Sequence, residues 1–253
     1  MTEMKIIARI RTELPEKFGV PRQSGLVPQL RGRVIFEPEY RNPDAVRGLE
    51  DFSHIWLIWQ FSRAVREGWS PTVRPPRLGG NRRMGVFATR SPFRPNALGL
   101  SSVRLDRVEL DPALGPVLHV SGADLMDGTP IFDIKPYLPY TDSHPQAAGG
   151  FTDGLAHAPL TVECSPALLE HIPADSREGL LGVLAGDPRP RYQEDPQRIY
   201  IPADSREGLL GVLAGDPRPR YQEDPQRIYG LSFAGHNVKF TVDGDRLTVI
   251  AVE

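Results

Sequence analysis

The sequence predicts a mainly β protein in which a barrel or a sandwich spans roughly residues 1–142. Two features of the chain lead to this fold class. Short apolar segments recur between turns rich in glycine and proline, and the 253 residues include 24 Gly and 26 Pro. Strands do not alternate with helices and no Gly-x-Gly-x-x-Gly motif occurs, so a Rossmann fold is not expected.

Seven segments of this first region are predicted to be strands. Residues 53–61 form a continuous aromatic and branched run, which predicts a buried central strand. Residues 100–110 alternate between apolar and polar side chains, as a half-buried strand does. Residues 46–50 predict a short helix or a turn. The predicted strands are 5–12, 33–38, 53–61, 84–89, 100–110, 116–122 and 129–134.

After residue 142 the composition changes, and a smaller α+β C-terminal domain is predicted. Residues 143–158 are rich in glycine and small polar residues, which is typical of a linker. Residues 159–253 then form the second domain. It is expected to contain a strand at 160–164, a helix at 167–171, and a terminal hairpin of 237–242 and 246–252 joined through Asp243-Gly244-Asp245.

The second domain contains an identical tandem repeat. Residues 172–200 recur without a change at 201–229. Natural repeat proteins have at least three diverged copies, so the pair indicates a recent duplication or an artefact of cloning or sequencing, and we favour the artefact. Each copy predicts one amphipathic helix, at 176–185 or 205–214. One site cannot hold two helices, so we expect one copy to form the native helix and the other to be looped out.

Overall composition indicates a soluble globular protein. Net charge is −2, with 40% hydrophobic and 25% charged residues, so a strongly basic nucleic-acid binder is not indicated by the total. The single cysteine, Cys164, excludes an intrachain disulfide and is expected in the core. We find no signal-peptide pattern, no membrane-length apolar run and no metal-ligand spacing. A cytoplasmic protein without membrane or metal partners is therefore expected.

The charge distribution is more informative than the total. Between Arg66 and Arg104 there are eight arginines and one acid, Glu67. They are interleaved with proline and glycine, and Pro92 and Pro95 stiffen the backbone around Arg90, Ser91 and Arg94. A solvated basic face is one explanation. An anion-binding surface is the alternative that we favour, because guanidinium groups on a rigid segment suit carboxylates or phosphates.

A polar set near residue 133 has two interpretations. Asp133 and Lys135 lie two positions apart, so on a strand they face the same side. With Tyr137 and Tyr140, which lie among prolines, they predict either an acid–base or substrate-orienting set or a structural ion pair. Asp127-Gly128 is typical of a turn. His54 is interpreted as a hydrogen-bonded structural residue.

Several long motifs, in order, resemble the TsaA-like domain proteins, a family that includes bacterial tRNA N6-methyltransferases. The resemblance covers about Ile6 to Tyr140, and the Asp-Pro-Arg-Pro-x-Tyr element resembles the family's C-terminal domain, where it is expected once. The motifs are 20–26, 45–50, 52–56, 74–80, 85–96, 127–130 and 133–137.

The resemblance implies a non-Rossmann β-barrel methyltransferase that acts as a homodimer. It implies S-adenosylmethionine (SAM) as the cofactor, held inside the barrel, and methylation of N6 of threonylcarbamoyl-adenosine 37 (t6A37 to m6t6A37) in the anticodon loop of tRNA. Arg90 would clamp the cofactor carboxylate. The expected cofactor residues are Pro21, Arg22, Gln23, Gln60, Phe61, Arg90, Leu100, Asp124, Leu125, Met126, Asp127 and Gly128.

The other roles follow from the same resemblance. Asp133, Lys135 and Tyr137 are the expected catalytic residues, for the acceptor proton or for the threonyl carboxylate. The expected tRNA-binding residues are Arg74, Arg77, Arg82, Arg83, Arg94, Arg189, Arg191, Arg218 and Arg220. Two alternatives stay open, a non-catalytic SAM- or RNA-binding barrel and an anion-binding hydrolase or methyltransferase of another small substrate.

Overall fold

A computed structural model describes residues 4–65, 68–75, 82–153, 159–189 and 225–253. Twelve strands and three helices lie in these ranges. The strands are β1 (Ala8–Thr12), β2 (Arg31–Phe36), β3 (His54–Gln60), β4 (Thr72–Val73), β5 (Met84–Gly85), β6 (Leu98–Asp111), β7 (Gly115–Ser121), β8 (Pro130–Pro136), β9 (Thr161–Glu163), β10 (Tyr229–Phe233), β11 (His236–Asp243) and β12 (Arg246–Val252). The helices are α1 (Pro139–Asp142), α2 (Pro166–Leu169) and α3 (Arg177–Ala185).

Six strands close into a barrel in the order β1-β2-β7-β6-β3-β8. Every neighbouring pair is antiparallel. Closure removes the sheet edges that an open antiparallel sheet would expose. The mainly β fold class predicted from the sequence is confirmed, and a barrel rather than a sandwich is the architecture.

Apolar side chains fill the barrel interior. On β3, Ile55, Leu57 and Trp59 point inward and are buried, whereas the residues between them lie on the outer face and are half-buried. Inward residues of the other strands, such as Ile10 and Leu118, are fully buried. Small barrels are packed in this way. Because buried apolar side chains occupy the interior, the packing does not favour a cofactor inside the barrel, and the cofactor's position stays a prediction.

Segment 84–89 is not the strand predicted for it. Only Met84–Gly85 pairs, with β4, and a 3₁₀ turn follows at Val86–Ala88. The Thr89 hydroxyl donates to the Val86 carbonyl at 2.9 Å and the Val86 N–H donates to the Pro71 carbonyl at 3.0 Å. These bonds replace ladder hydrogen bonds, so the chain turns instead of extending.

The C-terminal region forms a four-stranded sheet in the order β10-β11-β12-β9. The predicted hairpin of β11 and β12 is confirmed, and β9 joins it in parallel. Strand β10 was not predicted. A second core forms here, and it takes Leu14, Val27 and Leu30 from the long connection between β1 and β2. The partly buried Cys164 packs on this core, and burial raises the pKa of its thiol.

Helix α3 belongs to the first copy of the repeat, of which residues 172–189 are described. Its Leu180 and Leu184 are fully buried in the second core. The second predicted helix, 205–214, lies outside the described residues. That one copy is looped out therefore stays a prediction.

Candidate active site

A wide cleft of about 2610 Å³ lies against the outer surface at one end of the barrel. Its floor includes Gln60 of β3, Leu98 of β6 and Phe132 of β8. Gln60 and Leu98 are register partners, and Phe132 follows on the neighbouring strand. The walls come from the chain between β3 and β6, from residues 22–23 and from residues 148–152. The cleft thus gathers segments that are far apart in the sequence.

Arg90 and Gln23 meet in this cleft. The Arg90 guanidinium donates a hydrogen bond to the side-chain oxygen of Gln23, and Arg22 lines the same wall. The loop that carries Gln23 is fixed to the barrel, because the Gly25 N–H donates to the Gly122 carbonyl at 2.9 Å. Gly25 has a φ of +78°, which favours glycine. An exposed, oriented guanidinium of this kind suits a carboxylate ligand.

Asp124 is a largely buried carboxylate next to this pair. Its Oδ1 accepts a hydrogen bond of 2.5 Å from the Ser101 hydroxyl, which itself accepts one of 2.9 Å from Trp59 Nε1. Burial raises the pKa of Asp124, and the charge of Arg90 partly opposes that rise. Gly99 leaves room for the Trp59 side chain that donates to Ser101, since a Cβ at residue 99 would lie 2.3 Å from the Trp59 ring. A cationic ligand would stabilise the ionised carboxylate.

The predicted cofactor residues differ in whether they line the cleft. Phe61 packs edge-on against Trp59, with ring centroids 4.4 Å apart. Leu100 is 54% exposed on the outer face of β6, and it is not among the described residues that line the cleft. Arg22, Gln23, Gln60 and Arg90 line the cleft, whereas Pro21 and Asp124 are their neighbours.

The turn at residues 125–128 is fixed to the barrel. Leu125 is buried in the barrel core, and the Met126 carbonyl accepts a hydrogen bond of 2.7 Å from the Thr129 hydroxyl. The Asp127 carboxylate accepts the Thr12 N–H at 3.1 Å, and the Gly128 N–H donates to the Ile10 carbonyl at 2.8 Å. These contacts anchor the turn on β1, and the cofactor role predicted for its residues stays a prediction.

The predicted catalytic residues do not meet in the cleft. Asp133 and Lys135 do face the same side of β8 and form an ion pair, with Nζ 2.9 Å from Oδ2. Tyr137 packs against Trp56, with ring centroids 5.6 Å apart. None of the three is among the described residues that line the cleft. The ion pair is present, and a further role of these side chains toward a substrate stays a prediction.

The predicted tRNA-binding arginines differ in their position and in what they contact. Arg74 and Arg83 line the cleft and are exposed, as is Arg82 beside them. Arg94 donates to the Thr89 carbonyl at 2.7 Å, so it braces its own loop. Arg189 makes a bidentate pair with Asp187, at 2.6 and 3.0 Å, which raises its pKa. Arg77, Arg191, Arg218 and Arg220 lie outside the described residues.

Sequence reasoning missed two pairs of residues. Trp59 and Ser101 orient Asp124, and only the barrel register brings them together. Trp69 and Phe87 line the cleft as a stacked pair with ring centroids 5.9 Å apart. A signal for this second pair was available, since both aromatics occur within the arginine-rich segment.

A closed antiparallel barrel with an arginine-lined cleft at its end defines a barrel protein outside the Rossmann class. Sequence comparison specifies the class further. The profile of the tRNA-methyltransferase O (TrmO) N-terminal domain matches residues 9–143, and that of the TrmO C-terminal domain matches residues 204–253. The chain belongs to the TrmO family. The second match begins within the second repeat copy, which is identical to the first.

Individual relatives agree with this assignment. A tRNA (adenine(37)-N6)-methyltransferase of Escherichia coli K12 is 45% identical over 194 residues, which are 74% of this chain and 82% of the relative. A relative from Pseudomonas aeruginosa, named for SAM-dependent methyl transfer, is 43% identical over 77% of this chain and 85% of its own. A crystal structure of TrmO from Pseudomonas aeruginosa aligns with a TM-score of 0.71 at 30% identity, covering 100% of this chain and 99% of that one.

Among the described residues, no helix is both long and apolar enough to cross a membrane. The same residues contain no cluster of three or more His, Cys, Asp or Glu side chains suited to a metal ion.

Proposed function

We propose that this protein transfers a methyl group from SAM to N6 of threonylcarbamoyl-adenosine 37 in tRNA, converting t6A37 to m6t6A37. The observation that carries the proposal is the Arg90–Gln23 pair on the cleft wall, with Asp124 close enough for the charge of Arg90 to act on it, in a chain that belongs to the TrmO family. Relatives named as tRNA (adenine(37)-N6)-methyltransferases support the tRNA substrate.

The residues present fit this cofactor. Arg90 is an exposed guanidinium that Gln23 orients, and it would bind the cofactor carboxylate. Burial raises the pKa of the Asp124 carboxyl, so a nearby sulfonium cation would favour its ionised form. When bound, SAM supplies a methyl group on a positively charged sulfur. The protein's contribution is to orient and desolvate the reactants, which lowers the barrier to an in-line displacement.

The acceptor nitrogen must lose a proton during transfer. Asp133, Lys135 and Tyr137 remain our proposed residues for that step or for holding the threonyl carboxylate. Lys135 is exposed and Asp133 lies one residue beyond the cleft floor at Phe132. The ion pair between them would have to open to serve a substrate.

We also propose that the protein works as a homodimer in the cytoplasm, where its tRNA substrate is found. The homodimer is proposed from the family resemblance alone. Light scattering after size-exclusion chromatography measures the subunit number directly.

A substitution of Arg90 tests the cofactor site. Arg90→Ala should weaken SAM binding more than tenfold in titration calorimetry, because it removes a charge-assisted contact with the carboxylate. Arg82→Ala is the matched control, since Arg82 is exposed and is not among the described residues that line the cleft. Equal SAM affinity for Arg90→Ala and the unmodified protein would remove Arg90 from the site.

A further inference from the structure

Trp69 and Phe87 form an exposed aromatic pair on the cleft wall, which we call the aromatic platform. Phe87 is 70% exposed and Trp69 is 50% exposed. Their rings stack with centroids 5.9 Å apart and planes 27° apart. Exposed aromatic surface beside a cleft is typical of a binding site rather than of chance.

Local structure presents the platform in a fixed orientation. Phe87 sits in the 3₁₀ turn Val86–Ala88, and the neighbouring Val86 is fully buried and anchors that turn. Arg94 braces the same turn through the Thr89 carbonyl, and its guanidinium lies 5.8 Å from the Phe87 ring centroid. The ring is therefore held in place without being covered, so little entropy is lost when a flat ligand stacks on it.

The charge around the platform indicates the kind of ligand. The described residues that line the cleft include five arginines and no Asp or Glu. Two of these arginines, Arg74 and Arg83, flank the β4–β5 pair between Trp69 and Phe87. Single-stranded nucleic acid combines a flat base with a phosphate at every nucleotide, which matches aromatic rings interleaved with guanidinium groups. SAM carries no phosphate, so its adenine matches this charge less well.

We propose that Trp69 and Phe87 stack against an unpaired RNA base that neighbours the methylated adenosine, while Arg74 and Arg83 contact the adjoining phosphates. This inference rests on the proposed function and adds a recognition role to residues outside the cofactor site. It explains why an exposed aromatic pair stands in an arginine-rich wall. It also implies that the platform contributes to RNA affinity and leaves the cofactor affinity unchanged.

Binding of an anticodon stem-loop RNA to ring-preserving and ring-removing variants tests the platform. Phe87→Leu keeps an apolar side chain but loses the ring face, so RNA affinity should fall about tenfold. Phe87→Tyr keeps the ring and should bind within about twofold of the unmodified protein. Leu110→Ala removes an exposed apolar side chain that is not among the described cleft residues and should have no effect.

A fluorescence measurement on the unmodified protein gives an independent readout. A base stacked on Trp69 should quench its emission when the RNA is added, and Trp69→Phe should lose that part of the signal. SAM alone should cause no such quenching. In methylation assays Phe87→Leu should raise the KM for tRNA more than it lowers kcat.

The outcomes separate this inference from the proposed function. If the protein methylates tRNA but Phe87→Leu binds the stem-loop normally, the platform is wrong and the function stands. If Phe87→Leu instead loses SAM affinity, the platform holds the cofactor adenine and the inference is overturned. If the unmodified protein neither binds the RNA nor methylates tRNA, both fail. Circular dichroism of each variant confirms that it is folded.

Discussion

At the scale of single residues, the protonation state of Asp124 sets the charge beside Arg90. It is a carboxylate whose pKa burial raises, although Ser101 and Arg90 favour its ionised form. Because the folded protein holds the proton more tightly than the unfolded chain, stability conferred by the protonated form is lost as the pH rises through the raised pKa. A cationic ligand beside Asp124 would lower its pKa, since the ligand favours the ionised carboxylate.

This balance predicts a pH-dependent cofactor affinity. Binding of SAM should strengthen as the pH rises through the raised pKa of Asp124, because only the ionised carboxylate attracts the sulfonium. Asp124→Asn should bind more weakly at neutral pH and lose this pH dependence. Titration calorimetry from acidic to neutral pH measures both. Asp111→Asn, which removes a carboxylate that is not among the described residues lining the cleft, should retain the dependence. An unchanged pH profile in Asp124→Asn would contradict the role of Asp124.

At the scale of elements, the connection between β1 and β2 links the cleft to the second core. Its Leu14, Val27 and Leu30 pack with the C-terminal sheet and α3, while Gln23 in the same connection reaches Arg90. Glu13 adds a polar link, since its carboxylate accepts a hydrogen bond from the Ser176 hydroxyl before α3. The C-terminal region therefore packs against the connection that carries Gln23 to the proposed cofactor site.

Gly19 in this connection provides a sharp test. It has a φ of +89°, and a Cβ there would lie 2.3 Å from Leu231 Cδ1 in the buried β10. Gly25 in the same connection has a φ of +78° but nothing within 4 Å of its Cβ position. Both Gly→Ala changes strain the backbone. Only Gly19→Ala also overpacks the core, which costs about 1–3 kcal/mol.

Gly19→Ala should therefore lower the free energy of unfolding by about 1–3 kcal/mol more than Gly25→Ala does, as measured by urea denaturation. Equal losses for the two variants would mean that the connection does not pack closely on β10. In that case the C-terminal region would not hold the cofactor loop in place.

The sequence predicts an element well where a local pattern of residues determines it, and poorly where contacts between distant residues do. The apolar run of β3 and the alternation of β6 predict those strands, because a strand's pattern is local. The spacing of Asp133 and Lys135 correctly predicts a shared face, but not that this face lies outside the cleft. The pairing of Trp69 with Phe87 depends on the β4–β5 contact, which no local pattern determines.

At the scale of the whole molecule, both hydrophobic cores form in a chain that carries two copies of the repeat. The structure joins α3 from the first copy to β10, which begins at the last residue of the second copy. The Arg189 guanidinium lies close enough to Tyr229 for the phenol to raise the pKa of Arg189. The two ends of the intervening segment are therefore near each other, and a chain without one 29-residue copy could connect them.

We propose that this barrel methylates t6A37, and transfer of a labelled methyl group measures that activity itself. Methyl-labelled SAM is incubated with tRNA that carries or lacks the threonylcarbamoyl group, and label at adenosine 37 is counted. We predict incorporation only into the t6A-bearing tRNA, loss of incorporation with Arg90→Ala, and equal rates for the full chain and for a chain lacking residues 201–229. No incorporation into either tRNA, or equal incorporation into both, would contradict the claim.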